Sequence, residues 1–215
     1  EGTAAKVAEN GGTPVCHAVD VCDATAMAEA LSAIDMATPV DLLIANAGIS
    51  AGTRGGGESD DQTRAVFRVN LDGVLNTVLP LLRPMRARRK GQIALISSVA
   101  GFRGLAGAPA YCASKAAVRA WGEGLRGEAA ADGVAVSVVC PGFVETAMTG
   151  ANGFPMPFLM QPDRAARIIR KGLARNRGRI TFPWQMAVVG WFLRALPDAL
   201  LDRFGRRLPR KPPHH

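Results

Sequence analysis

Several things are scarce in this chain. No run of eighteen uncharged apolar residues occurs in its 215 residues, so no membrane-spanning helix is expected. Cysteine is sparse: Cys16, Cys22, Cys112 and Cys140 form no Cys-x-x-Cys pair and no metal-ligand spacing, so no metal site is expected. All four read as reduced thiols, which fits a cytoplasmic location. The sequence from Glu1 onward has no signal-peptide pattern. Internal repeats and low-complexity segments are absent. Acidic residues are scarce at one end only. Residues 163–215 hold thirteen Lys/Arg against three Asp/Glu, and the preceding 162 are nearly balanced within a net charge of +8. Such an end could meet acidic lipid, a partner or nucleic acid, or be a solvated basic helix face. It carries no nucleic-acid recognition motif, so no nucleic-acid partner is expected.

What is present is an alternation of strand and helix. At 215 residues and 48% hydrophobic content the chain is long and apolar enough for one domain with a sizeable core. Residues 3–10 read as the end of a helix stopped by Asn10-Gly11-Gly12, and residues 14–21 as a strand. A helix over 25–36, a strand over 40–45 and a mobile glycine-rich loop over 50–60 follow. The helix expected over 61–88 contains Pro80 and Pro84, which should kink or break it. Next come a strand over 91–97, a loop over 99–108, a helix over 109–131 and a strand over 134–140. A loop over 146–162, a helix capped by Asp163 and reaching Asn176, and a strand over 179–182 complete the pattern. This alternation implies an α/β fold with a doubly wound parallel sheet.

The chemistry concentrates in Tyr111-Cys112-Ala113-Ser114-Lys115. In a helix, positions i and i+4 share one face, so phenol and ammonium would point into one site. A nearby cation favours the phenolate, which makes the pair a candidate general acid/base; the same spacing also occurs on plain surface helices. Ser98 lies thirteen residues before Tyr111, at the end of an apolar strand. Asn46-Ala47-Gly48, Asn70, Ser98, Tyr111-x-x-x-Lys115 and Pro141-Gly142 with Thr146 occur in order. Over residues 14–182 this set resembles the classical short-chain dehydrogenases/reductases.

The resemblance implies a Rossmann-like, three-layer domain over residues 1–182, with a basic amphipathic extension over 183–215. It implies an NAD(P)-dependent oxidoreductase that interconverts a carbonyl and an alcohol by hydride transfer. Tyr111 would be the general acid/base and Lys115 would lower its pKa and bind the nicotinamide ribose. Ser98, rather than Ser97, would polarise the substrate oxygen, and Asn70 would hold a proton-relay water or be an ordinary polar helix residue. Asp20 would lie near the adenine, Asn46, Ala47 and Gly48 would line the cofactor, and Pro141, Gly142, Val144 and Thr146 would meet its nicotinamide end. Asn46 could also tie neighbouring strands. NADP(H) is favoured over NAD(H). The loop with Met148, Phe154, Met156, Phe158, Leu159 and Met160 would cover an apolar substrate or pack on the C-terminal helix. A homodimer or homotetramer would pair helices 61–82 and 111–131.

The family opens with a strand, a glycine-rich turn, a helix and a second strand, and its sheet order is 3-2-1-4-5-6-7. This chain supplies strands 3 to 7 on that map. No Gly-x-Gly-x-x-Gly precedes Asn46, and Gly55-Gly56-Gly57 lacks the strand–helix frame. A longer native polypeptide is therefore expected, with roughly 40 further residues supplying the phosphate-binding turn and two strands. Residues 1–215 alone are expected to be unstable and not to bind NAD(P). Two other readings stand beside the enzyme. One is a scaffold that kept the fold without catalysis. The other is a membrane-surface protein anchored by its tail, where Met186 to Leu193, Leu196, Leu200, Leu201 and Phe204 are joined by Arg203, Arg206, Arg207, Arg210 and Lys211. That tail could equally be a helix covering the domain or a dimer partner.

Overall fold

The computed structural model describes residues 2–50, 57–150 and 155–195. Helix α1 (Gly2–Glu9) buries none of its residues. Helix α2 (Ala24–Ala37) starts at Asp23, whose carboxylate accepts the backbone N–H groups of Thr25 and Ala26. Strand β1 (Leu42–Ala45) leads to α3 (Asp60–Phe67), a single π turn (Arg68–Asp72) and α4 (Gly73–Ala87). Strand β2 (Gly91–Ile96) passes through a 3-10 turn (Val99–Phe102) into α5 (Pro109–Ala130). Strand β3 (Val134–Pro141), α6 (Ala147–Gly150), α7 (Pro162–Ala174), β4 (Arg179–Phe182) and α8 (Trp184–Ala195) follow.

The four strands form one parallel sheet in the order β1-β2-β3-β4. Leu43 pairs with Ile93, Ile93 with Val136 and Val139 with Ile180. Side chains alternate across a strand, so β2 and β3 feed two cores. Ile93, Leu95 and Val136 pack with Val78 and Leu81 of α4 and Val118 and Leu125 of α5. Ala94 and Val139 pack with Ala165 and Leu173 of α7 and with Phe182. The result is the expected Rossmann-like α/β architecture in three layers. Arg88 locks α2 to α4: its guanidinium grips Asp35 at 3.0 and 2.7 Å and donates to the Val40 carbonyl at 2.7 Å. Those bonds hold the Asp35 carboxyl below its usual range.

The structure corrects three expectations. Residues 14–20 are not a strand. A strand needs a ladder partner, and no neighbouring strand stands beside them among the described residues. The outer edge of β1 likewise has no described strand partner, and Leu42 and Ile44 are 43% and 47% exposed. Pro80 and Pro84 do not break α4, which runs through both while burying Val74, Val78, Leu81, Leu82 and Met85. The irregularity falls earlier, in the π turn around Asn70. Asp163 does not cap α7: the helix begins after Gln161, whose side chain makes no capping hydrogen bond, with Pro162 as its first residue and Asp163 in the first turn; the fixed φ of proline suits that position. Finally, Asp60–Ala87 is long and apolar enough to cross a membrane by length and composition alone. Val66, Val74, Val78, Leu81 and Met85 are nevertheless buried in the core, which accounts for that composition. Leu196, Leu200, Leu201, Phe204 and the cations after them lie outside the described residues.

Gly122 sets the distance between α5 and the sheet. A Cβ there would stand 2.6 Å from both Leu95 Cδ1 and Val138 Cγ2, two side chains with no room to retreat. Gly122→Ala is expected to destabilise the fold by about 1–3 kcal/mol through overpacking, measured by denaturant unfolding.

Candidate active site

Lys115 sits where α5 crosses the end of β2. Its Nζ donates to the Ile96 carbonyl at 2.9 Å. Its own backbone carbonyl accepts the Ser97 hydroxyl at 2.7 Å. Gly101 lets the 3-10 turn press against the same peptide: a Cβ there would lie 2.8 Å from the Lys115 carbonyl carbon and oxygen. Tyr111 lies one turn earlier, and Nζ is 5.9 Å from its ring centroid. The two side chains therefore share one helix face, as their spacing predicts.

Gly48 closes the other side. A Cβ at Gly48 would stand 3.2 Å from Lys115 Nζ and 3.3 Å from Asn70 Oδ1. Asn70 is fully buried in the π turn, a distortion that often marks functional positions in helices. Its Oδ1 accepts the Ile49 N–H at 2.7 Å, and its Nδ2 donates to the Ile49 carbonyl at 2.9 Å and to Ser114 Oγ at 3.1 Å. Ser114 Oγ donates in turn to the Tyr111 carbonyl at 2.9 Å. Asn70 thus clamps the Gly48-Ile49 turn to α5. Both of its N–H groups are committed, so a relay water could use only a remaining lone pair on Oδ1.

Ser98 and Ser97 divide their roles cleanly. Ser97 is committed to the Lys115 backbone. The Ser98 hydroxyl accepts the Ala100 N–H at 3.1 Å and reaches the Pro141 carbonyl at 3.5 Å. Burial pushes the Tyr111 phenol above its ordinary pKa, against a smaller lowering by Ser98. The lowering expected from Lys115 is not the dominant influence on the phenol: desolvation comes first. Burial also lowers the Lys115 ammonium to about 8.

The remaining expected residues are spread unevenly. Asn46, Ala47 and Gly48 follow β1 directly, with Asn46 exposed and the other two half-buried. Gly142, after β3, donates to the Phe182 carbonyl at 2.7 Å. Val144 bridges to Met160, and Thr146 is exposed and contacts Thr149 Oγ. Met148 and Met156 are half-buried, Phe158 is 52% exposed, and Phe154 lies outside the described residues. Asp20 is exposed and accepts the Cys22 N–H at 2.9 Å. Its turn is tied to α4 by Asn76, which donates to the Val21 carbonyl. A cleft of about 580 Å³ between α5 and residues 101–106 is lined by Phe102, Cys112, Ala116 and Arg119, not by Tyr111 or Ser98.

Two contributors escaped the sequence reading. Ser114 stands three residues after Tyr111, on the same helix face, and that spacing could have flagged it. Glu58 accepts the Ala110 N–H at 2.9 Å, placing a carboxylate at the start of α5. It lies 52 positions from Ala110, and no local pattern signals it. Asn70→Leu leaves both polar groups of the Ile49 peptide without their clamp, at about 1–3 kcal/mol for each group left buried and unpaired. The expected result is a lower Tm and faster amide hydrogen exchange at Ile49, read by mass spectrometry.

Known proteins agree with this geometry. A family profile described as short chain dehydrogenase matches residues 1–153. An uncharacterized oxidoreductase of Myxococcus xanthus is 39% identical over 191 residues, covering 88% of this chain and 76% of the relative. The apo form of LigD from Sphingobium superposes with a TM-score of 0.78 at 25% identity, over 94% of this chain and 80% of that one. A gluconate 5-dehydrogenase from Burkholderia cenocepacia, solved with NADP and tartrate, gives a TM-score of 0.74 at 26% identity, over 84% of this chain and 77% of that one. With the fold, the ordered motifs and the family match in agreement, the chain belongs to the short-chain dehydrogenase/reductase family.

Proposed function

We propose that this chain carries out NAD(P)-dependent interconversion of a carbonyl and an alcohol, with Tyr111 as general acid/base. The observation that carries the reading is the placement of Tyr111 and Lys115 on one face of α5, with Nζ 5.9 Å from the phenol ring, beside the end of β2 that leads into Ser98. A substrate oxygen placed between the two hydroxyls would accept from both. Ser98 would orient and polarise it, and Tyr111 would give it a proton. The raised phenol pKa keeps that proton in place at neutral pH, which suits reduction. In the oxidative direction Tyr111 must lose it, so that direction gains as pH rises.

The residues fit the nicotinamide end of a dinucleotide. Lys115 Nζ gives one N–H to Ile96 and keeps two for a ribose. Gly48 leaves open backbone directly beside it. When bound, the cofactor supplies or takes the hydride. The sequence before Asn46 holds no glycine-rich turn, and the pyrophosphate end has no assigned residue. The related gluconate 5-dehydrogenase holds NADP, which supports NADP(H) as the first cofactor to titrate. The half-buried Met148 and Met156 support an apolar substrate. The half-exposed Leu79 of α4 supports assembly of a dimer or tetramer through α4 and α5.

Tyr111→Phe removes only the phenol oxygen and its proton. Turnover is expected to fall by about 10²–10⁴-fold, with NADPH binding retained in a fluorescence titration. Lys115→Met is expected to weaken both. Full turnover by Tyr111→Phe would overturn the assignment. A parent chain in complete native length that turns over no carbonyl would favour the scaffold.

A further inference from the structure

Helix α5 carries Tyr111 and Lys115, yet it begins without a cap of its own. Ala108 stands at its N-cap with no polar side chain to offer, and Pro109 follows as the first helical residue. The first bond within the helix runs from the Cys112 N–H to the Ala108 carbonyl at 3.0 Å. Two amides, those of Ala110 and Tyr111, precede it. The Ala110 N–H is met from a distant part of the chain, by Glu58 Oε2 at 2.9 Å. Glu58 Oε1 is buried and has no hydrogen-bond partner among the described residues. A buried carboxylate oxygen left so is costly unless a field holds it, and the positive end of α5 supplies one.

The segment that delivers this carboxylate is itself pinned. Gly57 turns the chain into Glu58 at a φ of 97°, a conformation that residues with a side chain rarely adopt. Ser59 then caps α3: its Oγ accepts the Gln62 N–H at 3.2 Å, and the Gln62 side chain accepts the Ser59 N–H at 3.1 Å. Val66 of α3 packs on Ala110, with Phe67 and Tyr111 against the pair. The Glu58 charge reaches further along the same turn, where it adds to the rise that burial gives the Cys112 thiol.

We propose that Glu58 is a positioning residue for Tyr111: it anchors the first turn of α5 and so holds the phenol in register with Ser98. The inference rests on Tyr111 as the general acid/base. Glu58 acts through the backbone one residue before Tyr111, not on the reacting atoms. The body of α5 is seated in the core through Val118, Gly122, Leu125 and Ala129, and such packing keeps it helical without a cap. A helix frays from its end, and here the end turn carries Tyr111. Lys115 lies one turn deeper, tied to Ile96 and Ser97. Loss of Glu58 therefore releases the phenol and spares the ammonium.

Three variants of the full chain test this. Glu58→Ala removes the acceptor, Glu58→Gln keeps an acceptor oxygen without the charge, and Glu58→Asp keeps the charge but withdraws it by one methylene. In Glu58→Ala turnover is expected to fall at least about tenfold, with NADPH binding in a fluorescence titration unchanged. Glu58→Gln is expected to restore most of the turnover, and Glu58→Asp to side with Glu58→Ala. Circular dichroism melts report the fold of each, and the contrast between Glu58→Gln and Glu58→Asp decides should Glu58→Ala unfold. The phenolate titration of Tyr111 reads the anchor without any turnover. Burial raises that midpoint, so Glu58→Ala is expected to lower it toward the ordinary tyrosine value and Glu58→Gln to keep it raised. A parent-like midpoint in Glu58→Ala overturns the proposal whatever the turnover. Unchanged turnover in Glu58→Ala, where Tyr111→Phe is inactive, overturns it too, as does a loss of NADPH binding that matches the loss of turnover. A lowered midpoint combined with full turnover by Tyr111→Phe would uphold the anchor and remove the catalytic assignment instead.

Discussion

Burying the Lys115 ammonium where α5 crosses β2 is the constraint on which the rest of the site depends. The ammonium donates to Ile96, and the peptide of the same residue receives Ser97 and abuts Gly101. Gly48 faces the ammonium from the opposite side. Each neighbour is small or already hydrogen-bonded, which lets three chain segments converge on one cation. This arrangement has a cost. The unfolded lysine titrates at its ordinary value and the folded one at about 8. Between those values the unfolded chain binds more protons, so stability rises with pH across that window, and the full cost is present below about 8. It amounts to on the order of 3 kcal/mol, a large share of a typical domain's net stability. A fold that retains such a charge keeps a functional reason close to hand.

The π turn at Arg68–Asp72 solves a related problem. Asn70 must reach Ile49 and Ser114 from one helix while Val66 and Val74, four positions away on either side, stay in the core. An unbroken α-helix holds those three positions on one stripe. The wider turn lets the amide leave the apolar stripe and meet the Gly48-Ile49 turn. The Tyr111 carbonyl is tied in through Ser114, so one side chain registers the Gly48-Ile49 turn against α5.

The strands at 42–45, 91–96, 134–141 and 179–182 were legible because each is an apolar run bounded by turn residues, and a parallel strand buried on both faces needs such a run. The shared face of Tyr111 and Lys115 followed from helix geometry alone. Residues 14–20 misled because strand propensity lies in the residues while strand pairing lies in a neighbour. Pro80 and Pro84 misled because tertiary burial of α4 outweighs two missing N–H donors. The direction of the Tyr111 shift was illegible because a cation four residues away can be read from sequence, whereas the desolvation opposing it depends on segments up to tens of residues distant. Glu58 at the start of α5 was hidden for the same reason.

Tyr111 is the one tyrosine in the chain, so the near-ultraviolet phenolate band reports on this group alone. Its spectrophotometric titration in the folded protein, with circular dichroism to confirm the fold at each pH, tests the central claim directly. The account predicts a midpoint above the ordinary tyrosine value, moving higher still in Ser98→Ala, because burial raises it and the Ser98 hydroxyl opposes the rise. A midpoint below the ordinary value, or one that does not respond to loss of the Ser98 hydroxyl, would contradict the account of how this site holds its proton.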